Sequence, residues 1–319
     1  MATKDEIWEE IKRDKGTVYG EPMLDVFLKL VEDIEVRHYK DLPEGKRGIV
    51  NIPELKLGFA NTVEEAEKLA GGVERKYLAL NTASANGNLP IIKFLIEKFQ
   101  FDGFAFAVRH AAREGNLDVV KFFVEDKGEK HIIYPFEDAA GRGQVEVMDY
   151  LFHKMDDIGF GKTQIEGALD NALKYAAAQG QLKAVEFLVR NGAEGLTAAI
   201  DEAGMNQRWD ILKYFLGLFD QAKKENRFKG IWSNSHARRQ TEWKASHYAA
   251  LWGNLELLKW LVEERKFDGL EDAFGTAAAH DHLDVVKYLI EKKLVDTGRA
   301  VEYAKPRVRE YLQKIRGDR

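Results

Sequence analysis

From Asn81 to Lys293 apolar and polar positions fall into one phrase that recurs seven times: a small residue and alanine, a turn residue four positions on, then an apolar helix start that ends in an aromatic. The alanines are Ala83, Ala111, Ala139, Ala176, Ala203, Ala249 and Ala277. The aromatics eleven residues later are Phe94, Phe122, Tyr150, Phe187, Tyr214, Trp260 and Tyr288. Each copy predicts two helices around the turn. The second, seen in Leu117-Asp118-Val119-Val120-Lys121-Phe122-Phe123 and again in Leu283-Asp284-Val285-Val286-Lys287-Tyr288-Leu289, spaces its apolar residues for one buried stripe. Alanine keeps the first helix thin enough for neighbouring copies to approach, and the second supplies bulk. One large buried side chain contributes roughly 1.5–3 kcal/mol, so a lone copy cannot offset its chain entropy and several must stack.

The turn residues are Gly87, Gly115, Gly143, Gly180, Gln207, Gly253 and Asp281, at intervals of 28, 28, 37, 27, 46 and 28 residues. Glycine accepts positive φ without steric cost; Asp281 accepts it less readily and Gln207 least. The two long intervals predict insertions, one around Gly159–Thr163 and one over Gly217–Ala245. Ala-Ala-x-x-Gly followed by Leu-Asp-Val-Val, and above all His247 to Glu256, resembles the ankyrin repeat, over about residues 75–319. This is a short, aromatic-rich variant of about 28 residues per repeat, against about 33 for the family, and it lacks Thr-Pro-Leu and the β-turn finger. The expected fold is an all-α solenoid of stacked helix-turn-helix units with short connections. Tyr311-Leu312 echoes Tyr288-Leu289, so a C-terminal half-copy should begin near Pro306, with Arg307, Arg309, Lys314 and Arg316 on its solvated face. Residues 1–74 lack the phrase and read as a helical cap, with an amphipathic helix over Met23–Glu35 and a capping box at Thr62–Glu65.

Composition narrows the functional classes. The chain is 45% hydrophobic and 32% charged with net charge −5, the profile of a folded protein without a polyanion-binding excess. It has no cysteine, which removes disulfides, thiolate metal sites and cysteine nucleophiles. Met1–Lys15 is charged throughout and lacks a secretory core, and no stretch reaches membrane-spanning length; a cytoplasmic address, or the nucleus, is expected.

Candidate chemistry is sparse. Gly159-Phe160-Gly161-Lys162-Thr163 imitates the end of a phosphate loop but has Asp156 where the first glycine belongs, so it reads as a connecting loop. His280-Asp281-His282 brings two imidazoles together without further ligands, and His247 reads as a hydrogen-bonding residue at a helix start. Asp156-Asp157 and Glu263-Glu264 read as solvated charge. No catalytic residue, cofactor or metal is assigned, and no enzymatic activity is expected.

The resemblance implies that a partner meets the two variable residues before each turn. The partner-binding candidates are therefore Arg113, Glu114, Arg142, Gln179, Met205, Asn206, Trp252 and His280, with Trp252 foremost because exposed tryptophan is enriched at binding hot spots. The insertion contributes a second set, Trp232, Arg238, Arg239 and Trp243. It could pack on the stack, clasp an acidic protein or, as the lesser reading, track a nucleic acid. The expected function is a protein-binding scaffold or adaptor, monomeric alone and without membrane attachment. The alternative is a structural subunit of a larger assembly.

Overall fold

The computed structural model describes residues 53–71, 73, 76–101, 103–225, 235–292, 294–295 and 300–317. The Met23–Glu35 expectation lies outside these residues, as do Arg227, Phe228, Lys229 and Trp232. The chain divides into two compact units, residues 1–83 with 90–100 and residues 84–89 with 101–319.

In the first unit α1 (Pro53–Gly58) packs on α2 (Val63–Leu69). Thr62 caps α2 as its sequence predicts, its hydroxyl accepting the Glu65 N–H at 3.2 Å. The return bond goes one residue further back than a capping box requires, from the Asn61 N–H to the Glu65 carboxylate at 2.9 Å. Most of α3 (Lys76–Ala85) and α4 (Leu89–Phe99) belong to the same unit, where Lys76 Nζ donates to the Phe99 carbonyl at 3.1 Å.

The second unit is a helical repeat solenoid with no strand among the described residues. Its first helices are α5 (Ala105–Glu114), α7 (Ile133–Arg142), α9 (Lys162–Gln179), α11 (Leu196–Met205), α13 (Ser235–Leu251) and α15 (Glu271–Ala279). Each packs on the next, and α15 packs on the short α17 (Ala300–Tyr303). The second helices are α6 (Leu117–Lys121), α8 (Val145–Ile158), α10 (Leu182–Arg190), α12 (Trp209–Glu225), α14 (Leu255–Lys259), α16 (Leu283–Glu291) and α18 (Pro306–Gly317). Contacts run α6–α8–α10–α12 and α14–α16–α18. All seven signature alanines are fully buried. Of the rings, Phe122 and Tyr288 are buried and the other five half-buried, none of them free in solvent.

All seven turn residues have positive φ, from +58° at Gln207 to +80° at Gly115. In six copies the signature alanine carbonyl accepts the N–H of the residue after the turn, for example Asn116 to Ala111 at 2.9 Å and Arg208 to Ala203 at 2.7 Å. That is the bond that closes a helix end through a left-handed residue, and it fixes the alanine-to-turn spacing.

A second device joins copies. The residue after the turn sends its side chain back to the carbonyl two positions before the preceding turn. Asn116 Nδ2 donates to Ala85 O at 2.7 Å, Gln144 Nε2 to Arg113 O at 3.3 Å, Arg208 Nε to Ala178 O at 3.1 Å, and His282 Nε2 lies 2.9 Å from Leu251 O. These are helix-end carbonyls without an intrahelical partner. The reaching side chain passes directly over the turn glycine: a Cβ on Gly115 would sit 2.5 Å from Gln144 Oε1, and one on Gly253 would meet the His282 ring even more closely. Glycine is therefore required twice, for its φ and for its missing Cβ.

Two recurring elements go beyond the predicted phrase. The second helices of copies two and six continue through a π-turn beginning at the signature ring, Phe122–Asp126 and Trp260–Glu264. Each π-turn presents a glutamate to the next copy's tyrosine. Tyr150 Oη donates to Glu125 at 3.0 Å and Tyr288 Oη to Glu263 at 3.1 Å, while Lys154 and Lys292 pair with the same carboxylates at 3.6 and 3.2 Å.

The insertions lengthen helices instead of forming long loops. Gly159 ends α8 at φ +92° and Lys162 already begins α9, so the expected connecting loop at Gly159–Thr163 shrinks to a tight link, with Lys162 and Thr163 inside the helix. The second insertion extends α12 and starts α13 at Ser235, which corrects the reading of His247: it lies well inside α13, stacked on Trp243 and 3.3 Å from Thr276 Oγ1. Arg265 anchors this region. It bonds Asp220 at 2.7 Å on α12 and Glu242 at 3.2 Å on α13, with Arg238 joining the same two carboxylates. The last helix, α18, starts at Pro306 and buries Val308 and Leu312.

The two roles of glycine predict opposite effects at two turns. Gln207→Gly relieves a left-handed glutamine and should stabilise by about 0.5–1 kcal/mol, while Gly115→Ala adds both backbone strain and a clash with Gln144 and should destabilise by about 2 kcal/mol or more. Urea unfolding of both variants checks the pair, and equal signs would contradict the assignment.

Candidate partner-binding face

The candidates before each turn occupy the last turns of successive first helices, or the residue just after. Met205 and Trp252 are 58% and 45% exposed; Glu114, Gln179, Asn206 and His280 are exposed as well, and Arg113 and Arg142 half-buried. The structure brings two of them together. Trp252 Nε1 donates to Gly204 O at 3.1 Å, which lays the indole across the end of α11 beside Met205. Gly204 also makes room for the Tyr248 ring: a Cβ there would lie 2.1 Å from Tyr248 Cδ2. Tyr248 in turn donates to Asp201 at 3.0 Å, and Lys244 pairs with the same carboxylate at 2.5 Å. The ring of Trp252 is thus held by its own chain while about half of it remains open.

The other candidates are spread along the stack, one copy apart. Asn206 bonds back to Glu202 O at 2.9 Å, and Arg113 lends its carbonyl to Gln144. His280 and His282 stack with centroids 6.5 Å apart, but each has a ring nitrogen 2.9 Å from a backbone carbonyl, Thr276 O and Leu251 O. Among the described residues no group of three or more His, Cys, Asp or Glu could hold a metal.

Sequence reasoning missed a second row on the same helices, one and two residues before the signature alanine. Here neighbouring copies bond to each other: Arg109 Nε to Asp138 at 2.7 Å, His247 to Thr276, and Tyr248 to Asp201. It also missed three exposed rings, Phe106, Tyr134 and Tyr175, of which Tyr134 lies under the Arg109 guanidinium at 5.5 Å. Charged and aromatic residues one and two positions before the alanine were the available signal for the row, while Phe106 and Tyr134 lie five positions before it. Burial raises the carboxyl of Glu137 in this row despite a hydrogen bond from Asn171 at 3.1 Å.

Within the insertion set, Arg238 pairs with Glu242 at 3.2 Å, Arg239 with Asp268 at 3.1 Å, and Trp243 Nε1 donates to Asp272 at 2.8 Å. These residues tie α13 to its neighbours. The acidic pairs are likewise occupied, Asp157 by Lys154 at 3.2 Å and Glu263 by Tyr288 and Lys292. The Lys292 bond is the chief cause holding the Glu263 carboxyl below its usual range, and burial together with Glu263 pushes the Tyr288 hydroxyl up to about 12.

His110 is buried beneath this face, and burial, then the charges of Arg113 and Arg109, push its pKa down to about 4. The folded chain therefore refuses a proton that the unfolded chain accepts below about pH 6.5, so stability present at pH 7 is lost as pH falls toward 4. The loss from this group should reach about 3 kcal/mol at the low end. His110→Gln, compared with wild type by urea unfolding across pH 7 to 4, should lack that part of the decline; parallel curves would contradict it.

Residues 246–290 match the family model for ankyrin repeats, described as occurring in many copies. No curated protein matches the chain. Ankyrin repeats are general protein–protein interaction modules. Among the described residues no helix is long and apolar enough to cross a membrane. The matched stretch holds the sixth and seventh copies, which this match identifies as ankyrin repeats, and the preceding copies of the solenoid resemble them in turn geometry.

Proposed function

We propose that the chain is a non-enzymatic scaffold or adaptor that binds another protein along the row of side chains before the turns. The supporting observation is Trp252. A large ring fixed by its indole N–H, half open and next to an exposed methionine, loses little freedom on binding and gains from being covered. Its neighbours along the row differ in charge and size from copy to copy, which gives a long surface the means to discriminate partners.

The ion pairs of Arg238, Arg239 and Lys244 weigh against the nucleic-acid alternative. A phosphate backbone would have to compete with a carboxylate within about 3.5 Å of each of these cations.

The test is affinity capture with wild type and with Trp252→Ala in parallel, followed by calorimetry on whatever wild type alone recovers. Binding should weaken by at least about 1 kcal/mol in Trp252→Ala, with melting little changed because one exposed ring and one hydrogen bond are lost. A variant that melts far earlier yet binds normally would make Trp252 a structural residue instead.

A further inference from the structure

The second helices carry a ladder of their own. In copies two, five and seven the residue before the signature ring is a lysine whose ammonium stands over the next copy's ring: Lys121 over Tyr150 at 5.7 Å, Lys213 over Trp260 at 5.4 Å, and Lys287 over Tyr311 at 5.3 Å. Such contacts stabilise because the ring face carries partial negative charge. At the same register copies three and four have Asp149 and Glu186. The ring that follows Asp149 is Phe187. It is half-buried, touches Phe152 edge-on at 6.2 Å, and among the described residues has no lysine or arginine over it.

This break in the ladder coincides with a surface depression of about 620 Å³. Its apolar lining comes from Leu117, Val145, Tyr150 and Phe187, and its charged lining includes Lys121, Lys154, Glu146 and Asp149. The cations are engaged: Lys121 lies over Tyr150, and Lys154 pairs with Asp157 at 3.2 Å and with Glu125. The carboxylates are not. Glu146 makes no ion pair among the described residues, and Asp149, 60% exposed, has only the His153 ring at 3.7 Å. The depression therefore offers an apolar floor, an uncovered ring and spare negative charge.

We propose that this depression binds a basic segment of a partner protein, one lysine or arginine of which lays its charge over Phe187 beside Asp149 and Glu146 while an adjoining apolar side chain rests on Leu117 and Val145. The incoming residue takes the place that Lys121, Lys213 and Lys287 fill elsewhere in the same ladder. A bare cation would leave the apolar floor uncovered, and an acidic or neutral segment would leave the carboxylates uncompensated. This surface lies on the second helices, apart from the row that holds Trp252 on the first.

The full chain is titrated into a fluorescent peptide of alternating leucine and lysine at low salt, with a leucine–glutamate peptide as counterpart. The lysine peptide should bind and the glutamate peptide should not. Asp149→Lys gives the chain its own ammonium over Phe187, so it should melt above wild type and bind the peptide at least tenfold more weakly. Phe187→Leu keeps the apolar volume without the ring and should also weaken binding. Asp210→Lys makes the same charge change on an exposed residue of α12 outside the depression and should change binding by less than threefold. The proposal is overturned if wild type fails to bind, if Asp149→Lys binds as wild type does or melts below it, if Asp210→Lys matches the loss, or if spermine displaces the peptide at equal concentration.

Discussion

The structure rests on one kind of contact, the bond from the residue after a turn to the orphan carbonyl at the end of the preceding copy's first helix. A buried carbonyl without a partner costs about 1–3 kcal/mol, so the first helices of copies one, two, four and six are each completed by their successor. Because the donor arrives over the turn, that turn must lack a Cβ, and because it arrives from the residue after the next turn, copies must follow at a fixed spacing. The two turns without glycine fit the same rule. After Gln207 the corresponding residue, Asn254, turns its side chain to its own helix and accepts the Leu257 N–H at 2.9 Å. After Asp281, Arg307 approaches from outside, donating to the Asp281 carbonyl at 2.6 Å. Nearest-neighbour completion of this sort is what makes a repeat stack cohere without a single central core.

Much of this was legible in the chain itself. The alanine, the turn and the ring each occupy a position whose physical demand is local: closeness of backbones, positive φ, bulk at the layer boundary. Gln207 shows the limit of propensity, since six neighbouring turns and the Arg208 bonds force a left-handed backbone on a residue that resists it. What could not be read were pairings set by distance in space. Nothing in the sequence says that Arg265 meets Asp220 and Glu242, or that the indole N–H of Trp252 finds Gly204. His247 was misplaced for a related reason, because the insertion joined α13 from its upstream side and a helix start became a helix interior. The lysines before the rings lay in plain view at Lys93, Lys121, Lys213, Lys259 and Lys287. Their meaning required seeing that Lys121, Lys213 and Lys287 each cover the next copy's ring.

The two layers of the solenoid divide their chemistry. First helices use small residues for contact, and their side chains before the turns differ from copy to copy. Second helices use large rings for contact, and among the described residues several of those rings carry a polar lid of lysines or π-turn glutamates, while Phe187 and Tyr214 carry neither. The candidate face on the first layer was found from the family resemblance; the depression on the second came from a departure within the chain's own pattern.

Trp252 spans the joint between the fifth and sixth copies, where the usual carbonyl bond is replaced and the turn is a strained glutamine. One side chain thus bonds across the joint and faces outward. Any molecule that prefers the indole in its present pose must also resist separation of those copies, by thermodynamic linkage to the same degree that separation weakens its grip. Occupancy of this ring and stiffness of the array at this joint are two readings of a single equilibrium.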